Sequence, residues 1–146
     1  MKLTAIIRRA RPDDIPHITP ILTTTNLGAE ELDLHIENFF VAVDGEQIIG
    51  TIGLELYGSR ALLRSAALLP THQHHGIGTN LLAAAEEFAK IHQVSEIFLL
   101  TTTASDYFKR HGYTTVRREE IRGSILGSAQ FRYACPATAT AMQKKL

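Results

Sequence analysis

The residues LLPTHQHHGIG, at positions 68–78, decide the fold of this chain. They join a run of β-forming and apolar residues, Ala61–Leu69, to a stretch in which apolar residues recur every three or four positions. Gly76 and Gly78 stand where such a helix would begin, and without side chains they let a phosphate group approach the backbone. The free N–H groups and partial positive charge of a helix start favour that anion. The segment therefore predicts a strand, a phosphate-binding loop and a helix in succession.

The loop alone is not specific, because a glycine-rich turn without a ligand has the same composition. It differs from the dinucleotide-binding fingerprint, since the preceding strand belongs to an antiparallel meander and not to a βαβ unit. It also lacks the Gly-Lys-Ser/Thr sequence of a P-loop. The order of the surrounding strands and helices must therefore decide whether this loop binds a phosphate group.

These elements predict a mixed α/β domain with one central sheet. Asp44-Gly45 is a hairpin turn between Phe39–Val43 and Gln47–Tyr57, and Gly58-Ser59 leads into the next strand of the meander. A helix over Thr79–His92 precedes a strand over Ser95–Thr102, which implies parallel pairing with Ala61–Leu69. The other predicted elements are a strand over Leu3–Arg9, helices over Ile15–Leu22, Ala29–Asn38 and Ser105–His111, a hairpin of Tyr113–Arg118 with Ala129–Cys135, and a terminal helix over Ala137–Leu146.

The bulk composition predicts one domain over residues 1–146 and excludes some partners. Fifteen basic residues balance fifteen acidic ones, so there is no electrostatic case for nucleic acid. No apolar run approaches the ~20 residues of a membrane-spanning helix, and the N-terminus does not resemble a signal peptide. Cys135 is the single cysteine, which makes a cytoplasmic location the default. We interpret Cys135 as a core residue and not as a nucleophile.

Together these features resemble the GNAT superfamily of N-acetyltransferases over nearly the whole chain. The resemblance rests on Leu68-Leu69-Pro70, the Q-x-x-G-I-G loop at 73–78, the helix after it, and an aromatic pair followed by a Gly-aromatic dipeptide in Tyr107–Tyr113. It implies an α+β fold: a single mixed sheet with helices on both faces and a splayed pair of central parallel strands. It also implies acetyl-coenzyme A as cosubstrate, with no metal.

The resemblance assigns coenzyme contacts residue by residue. Loop amides would hold the pyrophosphate, and the backbone of Leu68 and Leu69 would pair with the pantetheine arm. The implied cofactor-binding residues are Leu68, Leu69, Gln73, His74, His75, Gly76, Ile77, Gly78, Thr79 and Phe108. The cluster His72, His74 and His75 could instead suggest zinc, but without a distant acidic or cysteine ligand it favours the pyrophosphate loop.

A narrower resemblance concerns the acceptor. The runs Ala61–Ser65 and Leu99–Ala104, and Gln130-Phe131 before Cys135-Pro136, look like amino-acid N-acetyltransferases, closest to those associated with arsenic resistance. This implies direct transfer to the amine of an amino acid or an analogue, with a homodimer left open. The alternatives are an acyl-coenzyme A sensor without catalysis, or acetylation of aminoglycosides, polyamines or peptide amines.

Acetyl transfer requires a neutral amine, so a group must accept the proton of an ammonium whose pKa is roughly 10. Glu55 is the candidate base, with a solvent-facing strand residue as the alternative reading. The family's usual tyrosine acid is replaced by Phe108. Tyr107 and Ser105 are therefore the candidate acids, unless solvent protonates the thiolate, which a thiol pKa of ~8.5 allows.

Arg64 is predicted to bind the carboxylate or oxyanion of the acceptor through its fork of donors. It lies mid-strand among apolar residues, and counting by two places it on one face with Ala66 and Leu68. The alternative is an ion pair with a buried acid. Three further residues, Asn26, Thr101 and Thr103, are candidates for the acceptor pocket.

Overall fold

The computed structural model describes residues 5–134 and 138–146, which form a seven-stranded sheet in the order β1-β2-β3-β4-β5-β7-β6. The strands are β1 (Ile6–Arg9), β2 (Phe39–Asp44), β3 (Gln47–Tyr57), β4 (Arg60–Leu68), β5 (Glu96–Thr101), β6 (Thr114–Val116) and β7 (Thr140–Lys145). The α-helices are α1 (Ile15–Thr24), α2 (Leu32–His35), α3 (Ile77–Ile91) and α4 (Ser105–Arg110). None of the described helices is long and apolar enough to cross a membrane.

The predicted meander is confirmed, because β2, β3 and β4 pair antiparallel in sequence order. The predicted parallel pairing of β4 with β5 is confirmed as well. It involves only the start of each strand and ends at the pair Leu62–Phe98. Beyond that pair β4 continues to Leu68 and β5 to Thr101. The two central strands therefore separate and leave a cleft within the sheet.

Helices cover both faces of the sheet, as predicted. On one face, apolar residues of α3 such as Leu81 and Phe88 pack with Leu63 of β4. On the other face, Leu22 of α1 packs against Phe39 of β2. The stripe at three- and four-residue spacing in α3 is what allows that helix to bury one side against the strands.

The C-terminal predictions are wrong. Thr140–Lys145 forms strand β7, not a helix, and β7 lies between β5 and β6. Gln130–Ala134 forms a π-helical turn, so β6 pairs with β7 and not with that segment. The free edge of β5 needed a partner strand, and this tertiary demand overrides the helical preference of Ala, Met, Gln and Lys. Cys135 lies outside the described residues.

A bulge in β4 also corrects the predicted face of Arg64. Pairing shifts between Thr51 and Gly53 of β3, and Ser65 opposite them has a φ of 56°. As a result Leu63 and Leu68, an odd number of positions apart, both pack on the α3 face. Arg64 instead lies over the ring of Phe39, within the core beneath α1. Counting by two failed because one extra residue reverses the alternation.

Candidate active site

A cavity of about 760 Å³ opens where β4 and β5 separate. Its walls come from the strand ends, the loop before α3, the first turns of α3, and α4. Of the residues singled out from the sequence, the cavity is lined by Leu68, Gln73, His74, Gly76, Gly78, Thr79, Thr103, Tyr107 and Phe108. The structure therefore brings most of the predicted coenzyme residues together around one space.

The loop before α3 has the features of a phosphate cradle. Gly76 caps the helix with a φ of 80°, a left-handed conformation that favours glycine. A Cβ at Gly78 would meet only the Tyr107 hydroxyl, at 3.5 Å, so the helix start is open to a ligand. Arg110 and Asp106 of α4 also line the cavity, so its lining carries both charges. The open helix start fits an anionic pyrophosphate.

Three predicted coenzyme residues do not line the cavity. The Ile77 side chain is buried in the core beneath α3, so only its backbone can serve the loop. His75 is exposed. Leu69 donates its backbone N–H to the Ile49 carbonyl at 2.9 Å and lines a different cavity, next to α1. The Leu68 carbonyl, by contrast, accepts a hydrogen bond from the Gln73 side chain at 3.1 Å.

On the α4 side, the Tyr107 hydroxyl is buried and no protein group hydrogen-bonds to it. The Tyr107 ring packs against Phe108 and His111, with centroids 5.3 and 4.6 Å away. Phe108 itself is 6% exposed and belongs to the core. Ser105 begins α4 but does not line the cavity. Tyr107 is therefore the candidate acid whose hydroxyl lies in the cavity wall.

On the sheet face covered by α1 and α2, and outside the lining of the cavity, lies a buried charged cluster around Glu55 and Arg64. The Arg64 Nη1 donates to the Glu55 Oε2 at 2.9 Å, and both side chains are 0% exposed. Arg64 also donates to the Glu30 carbonyl at 2.6 Å and to the Ser65 hydroxyl at 3.0 Å. The reading of Glu55 as solvent-facing is wrong, and the ion-pair reading of Arg64 is confirmed.

The second oxygen of Glu55 faces two other residues. The Tyr57 hydroxyl donates to Glu55 Oε1, and the His35 Nε2 lies 3.5 Å from the same oxygen. Burial, followed by the hydrogen bond to the negative Glu55, raises the pKa of Tyr57 well above its usual range. Tyr57 therefore stays a neutral donor. The Arg64 Nη2 is buried and has no hydrogen-bond partner.

The remaining acceptor candidates are dispersed. Thr103 lines the cavity, whereas Thr101 accepts a hydrogen bond from the Ala104 backbone N–H at 3.0 Å and serves the turn before α4. Asn26 lies in the α1–α2 loop with a φ of 60°. Among the residues that the structure describes, no group of three or more His, Cys, Asp or Glu is placed to hold a metal ion.

Sequence reasoning missed Glu30, His35 and Tyr57. One signal was available for the Glu55–Arg64 pair: the Gly58-Ser59 turn fixes the register, which places Glu55 opposite Leu62 and therefore diagonal to Arg64. Glu30 and His35 reach the cluster from the α1–α2 region, and no sequence pattern links that region to β4.

Comparison with known proteins agrees with this geometry. Residues 35–115 match the family model described as acetyltransferase (GNAT) domain. This match covers more than half of the chain, so the chain belongs to the GNAT acetyltransferase family. The seven-stranded mixed sheet with its parallel β4–β5 pair is the GNAT fold.

Individual relatives point in the same direction. The chain is 37% identical over 91 residues to an uncharacterized N-acetyltransferase of Chlorobaculum tepidum, covering 62% of this chain and 58% of that protein. It is 27% identical over 140 residues to an amino-acid acetyltransferase of Mycobacterium tuberculosis, covering 89% and 77%. In fold it resembles N-acetylglutamate synthase from Neisseria gonorrhoeae, solved with coenzyme A and N-acetyl-glutamate. That likeness has a TM-score of 0.84 at 22% identity and covers 100% of this chain but 36% of the other.

Proposed function

We propose that this protein transfers the acetyl group of acetyl-coenzyme A to the amine of an amino acid or an amino-acid-like molecule, by direct transfer in a ternary complex. The observation that carries the proposal is a phosphate-type cradle on the cavity between β4 and β5, together with a buried arginine earlier on the same strand β4. The named acetyltransferase relatives support it. A carboxylate-bearing acceptor would give the unused Nη2 donor of Arg64 a partner.

The coenzyme would be held along the cavity from α3 to the splayed strands. The amides at Gly76 and Gly78, with Thr79, would bind the pyrophosphate. The cofactor supplies an acetyl thioester, which the cleft would align with the acceptor. Alignment of the two reactants accounts for most of the rate enhancement in this scheme.

Arg64 would bind the acceptor carboxylate through Nη2, the donor that no protein group uses. Glu55 would position Arg64, since both of its oxygens are already engaged by Arg64 and Tyr57. This assignment replaces direct proton abstraction by Glu55. Tyr107, whose hydroxyl lies beside Gly78, is placed to bind the coenzyme, so solvent would protonate the leaving thiolate.

The test is thiol release from acetyl-coenzyme A with a panel of amino acids, phosphinate and arsonate analogues, aminoglycosides and polyamines. We expect turnover on one or more amino acids or acidic analogues. Arg64→Lys keeps the charge but loses the fork, so it should raise the acceptor KM by about 10-fold or more while coenzyme affinity is unchanged. Turnover confined to polyamines or aminoglycosides would contradict the proposal.

A second candidate is an acyl-coenzyme A sensor without transferase activity. Phe108, at the position where the family usually has tyrosine, favours it, as does the full engagement of the Glu55 carboxylate. Tight coenzyme binding without turnover on any member of the panel would support the sensor.

A further inference from the structure

Two buried polar atoms of opposite charge lie where the α1–α2 loop meets β4. They are Nη2 of Arg64 and Oε2 of Glu30, and no hydrogen bond reaches either atom. The two residues are in contact, because the Arg64 Nη1 donates to the Glu30 backbone carbonyl at 2.6 Å. Arg64 forms its ion pair with Glu55, so the Glu30 carboxylate is not the counter-ion of Arg64.

The Glu30 carboxylate is directed by the local backbone. A Cβ at Gly28 would overlap it, so the carboxylate lies against the backbone of Gly28. Asn26 and Glu31, on either side, have φ values of 60° and 57°. Left-handed residues other than glycine persist only where the surrounding structure imposes them. The loop therefore brings the Glu30 backbone against Arg64 and turns the Glu30 carboxylate toward Gly28.

Leaving a buried polar atom without a hydrogen bond costs free energy, and a native protein retains such an atom mainly where it has a use. An α-amino acid carries an ammonium and a carboxylate on a single carbon atom. Its two charges complement the two unpartnered atoms, one for each. Neither a simple amine nor an N-acetylated amino acid offers both.

We propose that Glu30 binds the ammonium group of the acceptor while Arg64 binds its carboxylate, so that the pair selects zwitterionic α-amino acids. This inference rests on the transferase function proposed above. The other charged or titratable groups around the pair are His35, Glu31, Glu55 and Tyr57. The His35 Nε2 atom lies 3.9 Å from the Glu31 carboxylate and 3.5 Å from the Glu55 carboxylate. His35 therefore connects the buried Glu55 with the exposed Glu31.

In this arrangement Glu30 is also the first proton acceptor. One proton moves from the ammonium to the Glu30 carboxylate, which frees the lone pair of the nitrogen. That lone pair forms the C–N bond to the acetyl carbon while the C–S bond breaks, and sulfur leaves with the bonding electrons. The second N–H proton is lost to solvent, and solvent protonates the thiolate.

The test compares calorimetric binding of two probes to the coenzyme A complex. The probes are the best amino-acid acceptor of the panel and its N-acetylated product, which has no ammonium group. Glu30→Gln should weaken the acceptor by about 10- to 100-fold and the product by less than about 2-fold. Gly28→Ala keeps the charge but displaces the carboxylate, so it should weaken the acceptor selectively too. Asp33→Asn removes an exposed charge from α2 and is the matched control, with no change expected.

Equal weakening of both probes by Glu30→Gln, or no weakening at all, would overturn the inference while leaving the transferase function intact. Coenzyme affinity and the melting temperature of each variant report whether it is folded. If no amino acid is turned over or bound by the folded, coenzyme-binding protein, the transferase proposal itself fails, and the ammonium site with it.

Discussion

Two glycines in the loop before α3 differ in what they do, although both suit a phosphate cradle. Gly76 needs its left-handed φ of 80°, while a Cβ there would meet nothing within 4 Å. Gly78 has no unusual φ, and its Cβ would point toward the Tyr107 hydroxyl in the cavity. Gly76 therefore allows the backbone conformation of the loop, whereas Gly78 leaves space at the helix start.

Alanine at each position should separate these roles. Gly76→Ala should lower the free energy of unfolding by about 1–2 kcal/mol, the cost of a left-handed L-residue. Gly78→Ala should leave that free energy unchanged or slightly higher, since alanine favours the helix, yet raise the coenzyme A Kd by about 10-fold or more. Thermal melts and calorimetry measure the two effects. A Gly78→Ala protein that binds coenzyme A normally would contradict the cradle.

Tyr107 distinguishes coenzyme binding from acid catalysis. Its hydroxyl is buried, unpartnered and beside Gly78, so in the proposed scheme Tyr107→Phe removes one hydrogen bond to the coenzyme. We expect the coenzyme A Kd to rise by about 3- to 10-fold, with kcat changed less than the Kd. A large fall in kcat at unchanged Kd, with a shifted pH profile, would assign the hydroxyl to thiolate protonation instead.

For single residues, the sequence indicated which positions are unusual better than it indicated what each residue does. The glycine pair was identified because the chemistry of phosphate binding demands small residues at a helix start. Arg64 stood out because a mid-strand charge requires a partner. Glu30 could not be identified, since its position next to Arg64 depends on a loop that crosses to β4.

The Asp14 carboxylate links strand β1 to the turn that follows it. Asp14 accepts hydrogen bonds from the Arg8 guanidinium at 2.8 and 3.0 Å and from the Arg11 backbone N–H at 2.8 Å. These bonds, with that of Arg8 first, hold the pKa of Asp14 below its usual value. Asp14 therefore stabilises the fold when it is ionised, and the stabilisation is lost as the pH falls through the lowered pKa.

Asp14→Asn tests this junction. Near pH 7 the variant should lose about 1–2 kcal/mol of unfolding free energy, as for a lost helix cap. The difference from the wild type should persist down to about pH 4, the ordinary carboxyl pKa, and close at lower pH as the wild-type carboxyl is protonated. Asp13→Asn, its exposed neighbour, is the control. A difference that stays constant to pH 2 would contradict the role of the charge.

Some helices and strands can be predicted from a local sequence pattern alone, and others cannot. Turn dipeptides fixed the β2–β3–β4 meander, and the apolar stripe fixed α3, because both signals are local. The bulge at Ser65 and strand β7 depend on pairing between distant segments. A window of ten residues shows neither that the side chains of β4 change faces at the bulge nor that β7 pairs with the edge of β5.

For the whole molecule, the topology places the cavity and the Glu55–Arg64 cluster on the same strand, β4. The early end of β4–β5 pairing creates the cleft, residues of α3 and α4 line it, and the α1–α2 loop contacts Arg64 through the Glu30 carbonyl. The composition and the crossover helix predicted this class of fold. The buried cluster around Arg64 was less predictable, since it assembles residues from α2, β3, β4 and a loop.

The most direct test of this account compares kcat/KM for an accepted α-amino acid with that for the amine lacking only the α-carboxylate, for example L-glutamate against 4-aminobutyrate. If Arg64 binds the acceptor carboxylate, the amino acid should be preferred by about 100-fold or more, and Arg64→Lys should reduce that preference. Equal rates on the two acceptors, or a preference for the amine, would contradict the proposed function.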